Sequence, residues 1–358
     1  MYCLQFPENP QDRHSESYKL VAPGRDDSET DDVKLEVQHP KRVVTTGTGG
    51  PDTPVIYKAD LHGNILDEPC RVVCKCATGP GIKPLSQEAQ VYRKQLAAAG
   101  LQGHYVPRFL GLYYGKHPDG YDVAIMVLSD EGRPMTACLQ FTPLYFRKRV
   151  LDCLMRIHWA GIIHCAFEEQ NIVVQKREDV DPERPWFPKI VDFNHARKHK
   201  CKCTWSEVTA YDYAPDREEF DCDELWWAFQ KAELWQPQLI YVLGQHCPAK
   251  WIEGGAHVFA QKVDDLLQKV PEDERVKTAQ KLIDDYQSWG AERRKWDENP
   301  VPPVRDSDSD VEEVVVDDED DEDDEDDEDD EEEDEDDEDD ENENEDAEEY
   351  DEETEAND

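Results

Sequence analysis

The 358-residue chain has no apolar run approaching the ~20 residues that a bilayer crossing takes, so no membrane partner is expected. Its first residues, MYCLQFPENPQDRH, lack the charged start and apolar centre of a secretion signal. Eleven cysteines, an odd number without such a signal, read as reduced intracellular thiols rather than a disulfide framework. The expected setting is cytoplasm or nucleus. Between Asp306 and Asp358 there is no Lys or Arg, against 40 Asp and Glu. Residues 1–305 then carry 39 basic and 46 acidic side chains, a net charge of −7. The formal charge of −47 therefore belongs to the tail, and no direct nucleic-acid contact is expected.

Such a tail cannot pack a core, because like charges repel and little is left to bury. It reads as a disordered acidic tail suited to basic proteins such as histones or other polycations, or to folding back on the basic run Arg197–Lys202. Within it, Val314 to Val316 beside Ser307 and Ser309 are similar to a small-modifier interaction motif.

Residues 1–41 are polar and without apolar period, and read as a disordered leader. Order is expected from Arg42. Gly47-Thr48-Gly49-Gly50 precedes a strand at Val55–Ala59, with Pro51 and Pro54 between. Arg71–Ala77 alternates around Lys75. Ser86 to Ala99 reads as a helix capped by Ser86, ended by Gly100 and carrying Glu88 on its first turn. Val106–Leu112 and Val123–Leu128 have strand length, and Ser129–Gly132 then forms a hinge. Thr142-Pro143 opens a helix whose buried stripe is Leu144, Leu151, Leu154 and Ile157, and Gly161 ends it. Gln175 to Pro188 reads as a surface loop, residues 232–290 as helical, and Glu298-Asn299-Pro300 as the end of the folded part.

The stretch Ile157–Val174, IHWAGIIHCAFEEQNIVV, resembles the catalytic loop and following strand of the protein-kinase superfamily, as in fungal-type kinase-like domains with a degenerate loop. His164 holds the loop His and Asn171 the loop Asn. Lys75 resembles the phosphate-binding strand Lys, Glu88 its helical partner, and Asp192-Phe193-Asn194 the magnesium-binding Asp-Phe-Gly turn. Ala214-Pro215-Asp216 resembles the close of the activation segment, and Cys222–Phe229 a central helix. The resemblance implies an α+β bilobal kinase-like fold: a small β-rich lobe over 42–128, a mainly helical lobe over 129–297 and a disordered acidic tail over 298–358. It also implies ATP and magnesium at Lys75, Glu88, Asn171 and Asp192.

The loop departs from that family where transfer chemistry sits. Ala166 replaces the Asp that accepts the hydroxyl proton, help worth ~10²–10⁴-fold. Cys165 replaces Arg, and Glu168 puts a carboxylate where a Lys would steady the phosphate. The resemblance then implies a pseudokinase, regulatory or scaffolding, that holds ATP and transfers phosphate poorly. An atypical active Ser/Thr kinase and an acidic-tail scaffold or chaperone for basic nuclear proteins are the alternatives. His195, His199, Cys201 and Cys203 are residues that ligate zinc, but their spacing misses the usual Cys-x₂₋₄-Cys pairs. With Lys198, Lys200 and Lys202 interleaved, a basic segment is the plainer reading.

Overall fold

The computed structural model describes residues 2–10, 15–23, 33–43, 53–203 and 205–305. The glycine-rich stretch at 47–50 and the acidic tail, with Ser307, Ser309 and Val314 to Val316, lie outside them. Seven strands close into a barrel: β1 (Tyr2–Pro7), β2 (Ser17–Val21), β3 (Val33–Val43), β4 (Val55–Gly63), β5 (Cys70–Thr78), β6 (Phe109–Lys116) and β7 (Asp122–Ser129). Their order around it is β1-β2-β6-β7-β5-β4-β3. A ring with an odd number of strands cannot alternate in direction throughout. The required parallel pair is β1 with β3, Tyr2 to Gln5 against Val33 to Glu36, and the other six pairings are antiparallel.

Period-2 alternation builds this barrel. Val33, Leu35 and Val37 are buried on β3, while the intervening residues are more exposed. With Leu4, Phe6, Leu20, Ala59, Leu61, Val72, Cys74 and Tyr113 they fill one apolar interior. Strand β7 belongs to two cores. Val123, Ile125 and Val127 face the barrel interior, while Ala124, Met126 and Leu128 join a second core outside it. Its unbroken apolar run is what burial on both faces demands.

The second core receives helix α1 (Ile82–Gln90), continued by a π turn over Val91–Leu96, and α2 (Leu144–Trp159). A small sheet is made of β8 (Arg133–Pro134), β10 (Ile172–Lys176) and β11 (Trp186–Ile190). The two-residue strand β9 (Ile162–Ile163) pairs with β12 (Arg197–Lys198). After them come α3 (Arg217–Phe220) and α4 (Asp223–Lys231). Trp205, Phe220, Phe229 and Trp235 pack ring against ring beside α4. A hairpin of β13 (Leu239–Val242) and β14 (Gln245–Pro248) shares a third core with α5 (Gly255–Lys262) and the 27-residue α6 (Glu272–Glu298).

Three expectations are corrected. The bilobal kinase-like fold is not what forms: the described residues belong to one compact unit built on a closed barrel. The supposed leader contributes three barrel strands. Each has only two or three inward apolar positions, and those find burial only once distant strands close the ring. Order also continues past Glu298. Val301 donates its N–H to the Phe141 carbonyl at 2.8 Å, and Val304 is buried.

Candidate functional site

Alternation on β5 sends Val72 and Cys74 into the barrel and Lys75 out of it, opposite Met126 of β7. There the Lys75 ammonium meets two carboxylates from separate elements. Its Nζ donates to Glu88 Oε1 and Oε2, both at 2.9 Å, and to Asp192 Oδ1 at 2.7 Å. Glu88 lies deep in α1 rather than on its first turn, because the helix begins at Ile82. Ser86, the expected cap, is inside that helix and donates its hydroxyl to the Ile82 carbonyl. Asp192 has left-handed backbone, φ 70° and ψ 66°, and leads a 3₁₀ turn over Phe193–His195. Phe193 donates its N–H back to Glu88 Oε1 at 3.2 Å. Its ring packs edge-on to Tyr92 and His164.

Burial opposes every charge here, and pairing overcomes it at two of the three groups. The Lys75 pKa is drawn down by burial but raised overall by Glu88 and Asp192. Burial is the larger influence on Glu88, whose carboxyl stands above its ordinary range despite Lys75. Burial pushes the more open Asp192 upward, yet Lys75, with His164 and His195 adding to it, holds its carboxyl below the ordinary value. The site is a buried cation with one shielded and one reachable carboxylate.

Asn171 ends a 3₁₀ turn immediately before β10. Its main-chain carbonyl accepts the Val191 N–H at 3.0 Å, placing it beside the residue before Asp192. Its side-chain Nδ2 donates to the Ala166 carbonyl at 2.9 Å, which leaves Oδ1 as the amide's acceptor. His164 is fully buried. Its Nε2 pairs with the Val191 carbonyl at 2.9 Å and its Nδ1 accepts the Ala166 N–H at 3.3 Å. That pattern fits the neutral imidazole with its proton on Nε2. Ala166 offers no acid–base group. Glu168 and Glu169 both pair with Lys231 at the end of α4, Glu169 at 2.6 Å. Nothing in the spacing of the sequence linked Lys231 to this loop.

A second cluster lies behind the loop. The ligand-type atoms of His158, His199, Cys201 and Cys222 all fall within 4.8 Å of one another. Two of the residues singled out in sequence, His199 and Cys201, belong to it, while His195 and Cys203 do not. Their partners are His158, on the buried face of α2, and Cys222, immediately before α4.

No known family model matches the chain, and no curated protein matches it in sequence. The resemblance to the protein-kinase superfamily is therefore corrected, and with it the pseudokinase and active-kinase readings. Its motifs are short, each is met in unrelated strands and turns, and the closed barrel with its N-terminal strands is a different architecture. The residues themselves stay where the structure puts them. Lys75, Glu88 and Asp192 are in direct contact, and Asn171 is adjacent through the β10–β11 ladder. No helix among the described residues is long and apolar enough to cross a membrane.

Proposed function

We propose that Lys75, Glu88, Asp192 and Asn171 form a binding site for a magnesium-bound nucleoside polyphosphate such as ATP, serving a regulatory or scaffolding protein rather than a transferase. The observation that carries this reading is the Lys75 ammonium shared between Glu88 and Asp192. A buried ammonium locked to one carboxylate can turn to a phosphate oxygen, while the more open carboxylate turns to the metal. Asp192 and the acceptor oxygen of Asn171 are the hard oxygen donors magnesium prefers. The donor set fits the group, and magnesium would supply neutralisation of the phosphate charge.

Transfer is a different matter. A hydroxyl nucleophile needs a base within hydrogen-bond reach. Ala166 supplies none, and both neighbouring glutamates are engaged by Lys231. Thermal shift with magnesium and ATP tests the binding. Stabilisation of the wild type that is absent in Lys75→Ala and Asp192→Ala is expected, and an unshifted wild type sinks the reading.

A second activity is favoured by the 40 acidic residues after Arg305. We propose that this tail captures basic proteins in the cytoplasm or nucleus by charge neutralisation. Deleting it should remove basic proteins from a low-salt crosslinked pull-down, and unchanged partners would leave the tail a solubiliser.

A further inference from the structure

We propose that His158, His199, Cys201 and Cys222 bind a single structural zinc ion. Three separated pieces of chain deliver them: the last turn of α2, the segment following β12, and the residue before α4. Cys222 Sγ lies 3.5 Å from His158 Nδ1 and 4.0 Å from His199 Nε2. Around a tetrahedral zinc, with Zn–S of about 2.3 Å and Zn–N of about 2.0 Å, neighbouring ligand atoms stand roughly 3.3–3.8 Å apart. The cluster is thus within a few tenths of an ångström of that geometry where these two separations are concerned.

The donor chemistry selects the metal. Two thiolates and two imidazoles at tetrahedral spacing suit zinc, whereas magnesium and calcium take oxygen. Two thiolates also cancel the charge of a divalent ion, so the occupied site is neutral, as a half-buried position requires. Four protein ligands leave no position for water or substrate, which makes the site structural rather than catalytic.

An outer contact independently favours the same atoms. His158 Nε2 pairs with Glu224 Oε2 at 2.5 Å, which directs its Nδ1 toward Cys222. This is the carboxylate–histidine arrangement that fixes a ligating imidazole in its tautomer and orientation. The same Glu224 carboxylate accepts the backbone N–H groups of His164 at 3.0 Å and Cys165 at 2.6 Å. Cys165 is held at φ 64°. A metal on His158 would thus brace the turn that leads to Ala166 and Asn171. His199 adds a second brace, its N–H donating to the Gly161 carbonyl at 2.8 Å.

The full chain, purified with a phosphine reductant that does not bind metal, is assayed for zinc by mass spectrometry. It is then exchanged with cobalt(II) and read by visible absorption. One zinc per chain and the intense bands of tetrahedral cobalt with thiolate charge transfer are expected. Cys201→Ser and Cys222→Ser should lose those bands, whereas Cys203→Ser and His195→Ala should keep them. Glu224→Gln should bind the metal about 10–100-fold more weakly in a chelator competition. The wild-type spectrum needs no variant to fold. Absence of both zinc and cobalt bands in the reduced wild type overturns the proposal, as do bands that survive Cys222→Ser or a Cys201–Cys222 disulfide in protein alkylated at lysis.

Discussion

Lys75 Nζ stands 2.9 Å from each carboxylate oxygen of Glu88, a side chain only 1% exposed. Breaking such a pair from one side strands a charge, which costs about 3–5 kcal/mol. Lys75→Ala should therefore lower the unfolding free energy in urea by that amount. The double variant Lys75→Met, Glu88→Leu should recover part of the loss, because it removes the two most buried charges and leaves only the more open Asp192 without its cation. If the double variant is as unstable as the single, the contact is not what holds α1 against β5.

The barrel interior makes β1, β2 and β3 structural. Leu4 is fully buried and Leu35 nearly so. Leu4→Ala and Leu35→Ala should each cost about 2–5 kcal/mol, the usual range for a truncated core leucine. A structureless leader would give almost no effect. Amide hydrogen exchange offers the parallel check, with protection expected at Leu20 and Leu35.

Burial lowers the His164 pKa below its ordinary 6.5, against the opposing pull of the Val191 carbonyl, Glu224 and Asp192, and with Lys75 lowering it further. Above that pH neither state holds the proton. As pH falls through 6.5 the unfolded chain takes a proton that the native imidazole refuses, so stability declines until the folded pKa is reached. His164→Gln should be less stable near neutrality yet lack this limb. Denaturant midpoints of the two proteins should therefore converge between about pH 7 and pH 5.

Two glycines with positive φ should respond differently. A Cβ on Gly132, at φ +108°, would lie 2.0 Å from the Val174 carbonyl oxygen, so the backbone of β10 would have to move. Gly120, at φ +92°, has open space around it. Gly120→Ala should cost about 1 kcal/mol from backbone strain alone, and Gly132→Ala several times more. Melting temperatures measured side by side check the difference.

What could be read in advance followed the range of each signal. The alternating Arg71–Ala77 and the apolar Val123–Leu128 announce their strands because period and burial act locally. Lys75, Glu88 and Asp192 come to attention through the kinase resemblance, since a Lys in an alternating strand or an Asp after Ile190-Val191 is commonplace by itself. The barrel was not legible. Val33, Leu35 and Val37 alternate, but their partners Leu4 and Leu61 lie on either side in sequence, and only closure makes the pattern pay. Lys231 was equally hidden, since its meaning comes from where α4 ends relative to Glu168. His158 and Cys222 read as ordinary buried residues until the fold set them beside His199 and Cys201. Short motifs in the correct order were the misleading signal, because order alone does not specify a topology.

The unequal seams of the barrel have a kinetic consequence. Strand β2 meets β6 through Val21 and Tyr114, whereas β4 runs along β5 from Val55–Cys76 to Leu61–Cys70. The ring is thus riveted on one side and latched on the other, and the latch joins segments about ninety residues apart in sequence. Such a contact forms late, since its loop-closure entropy must be met before any reward. It should also open first, turning the ring into a sheet whose edge is β2, still held through β1 to β3, while β4, β5 and β7 stay paired.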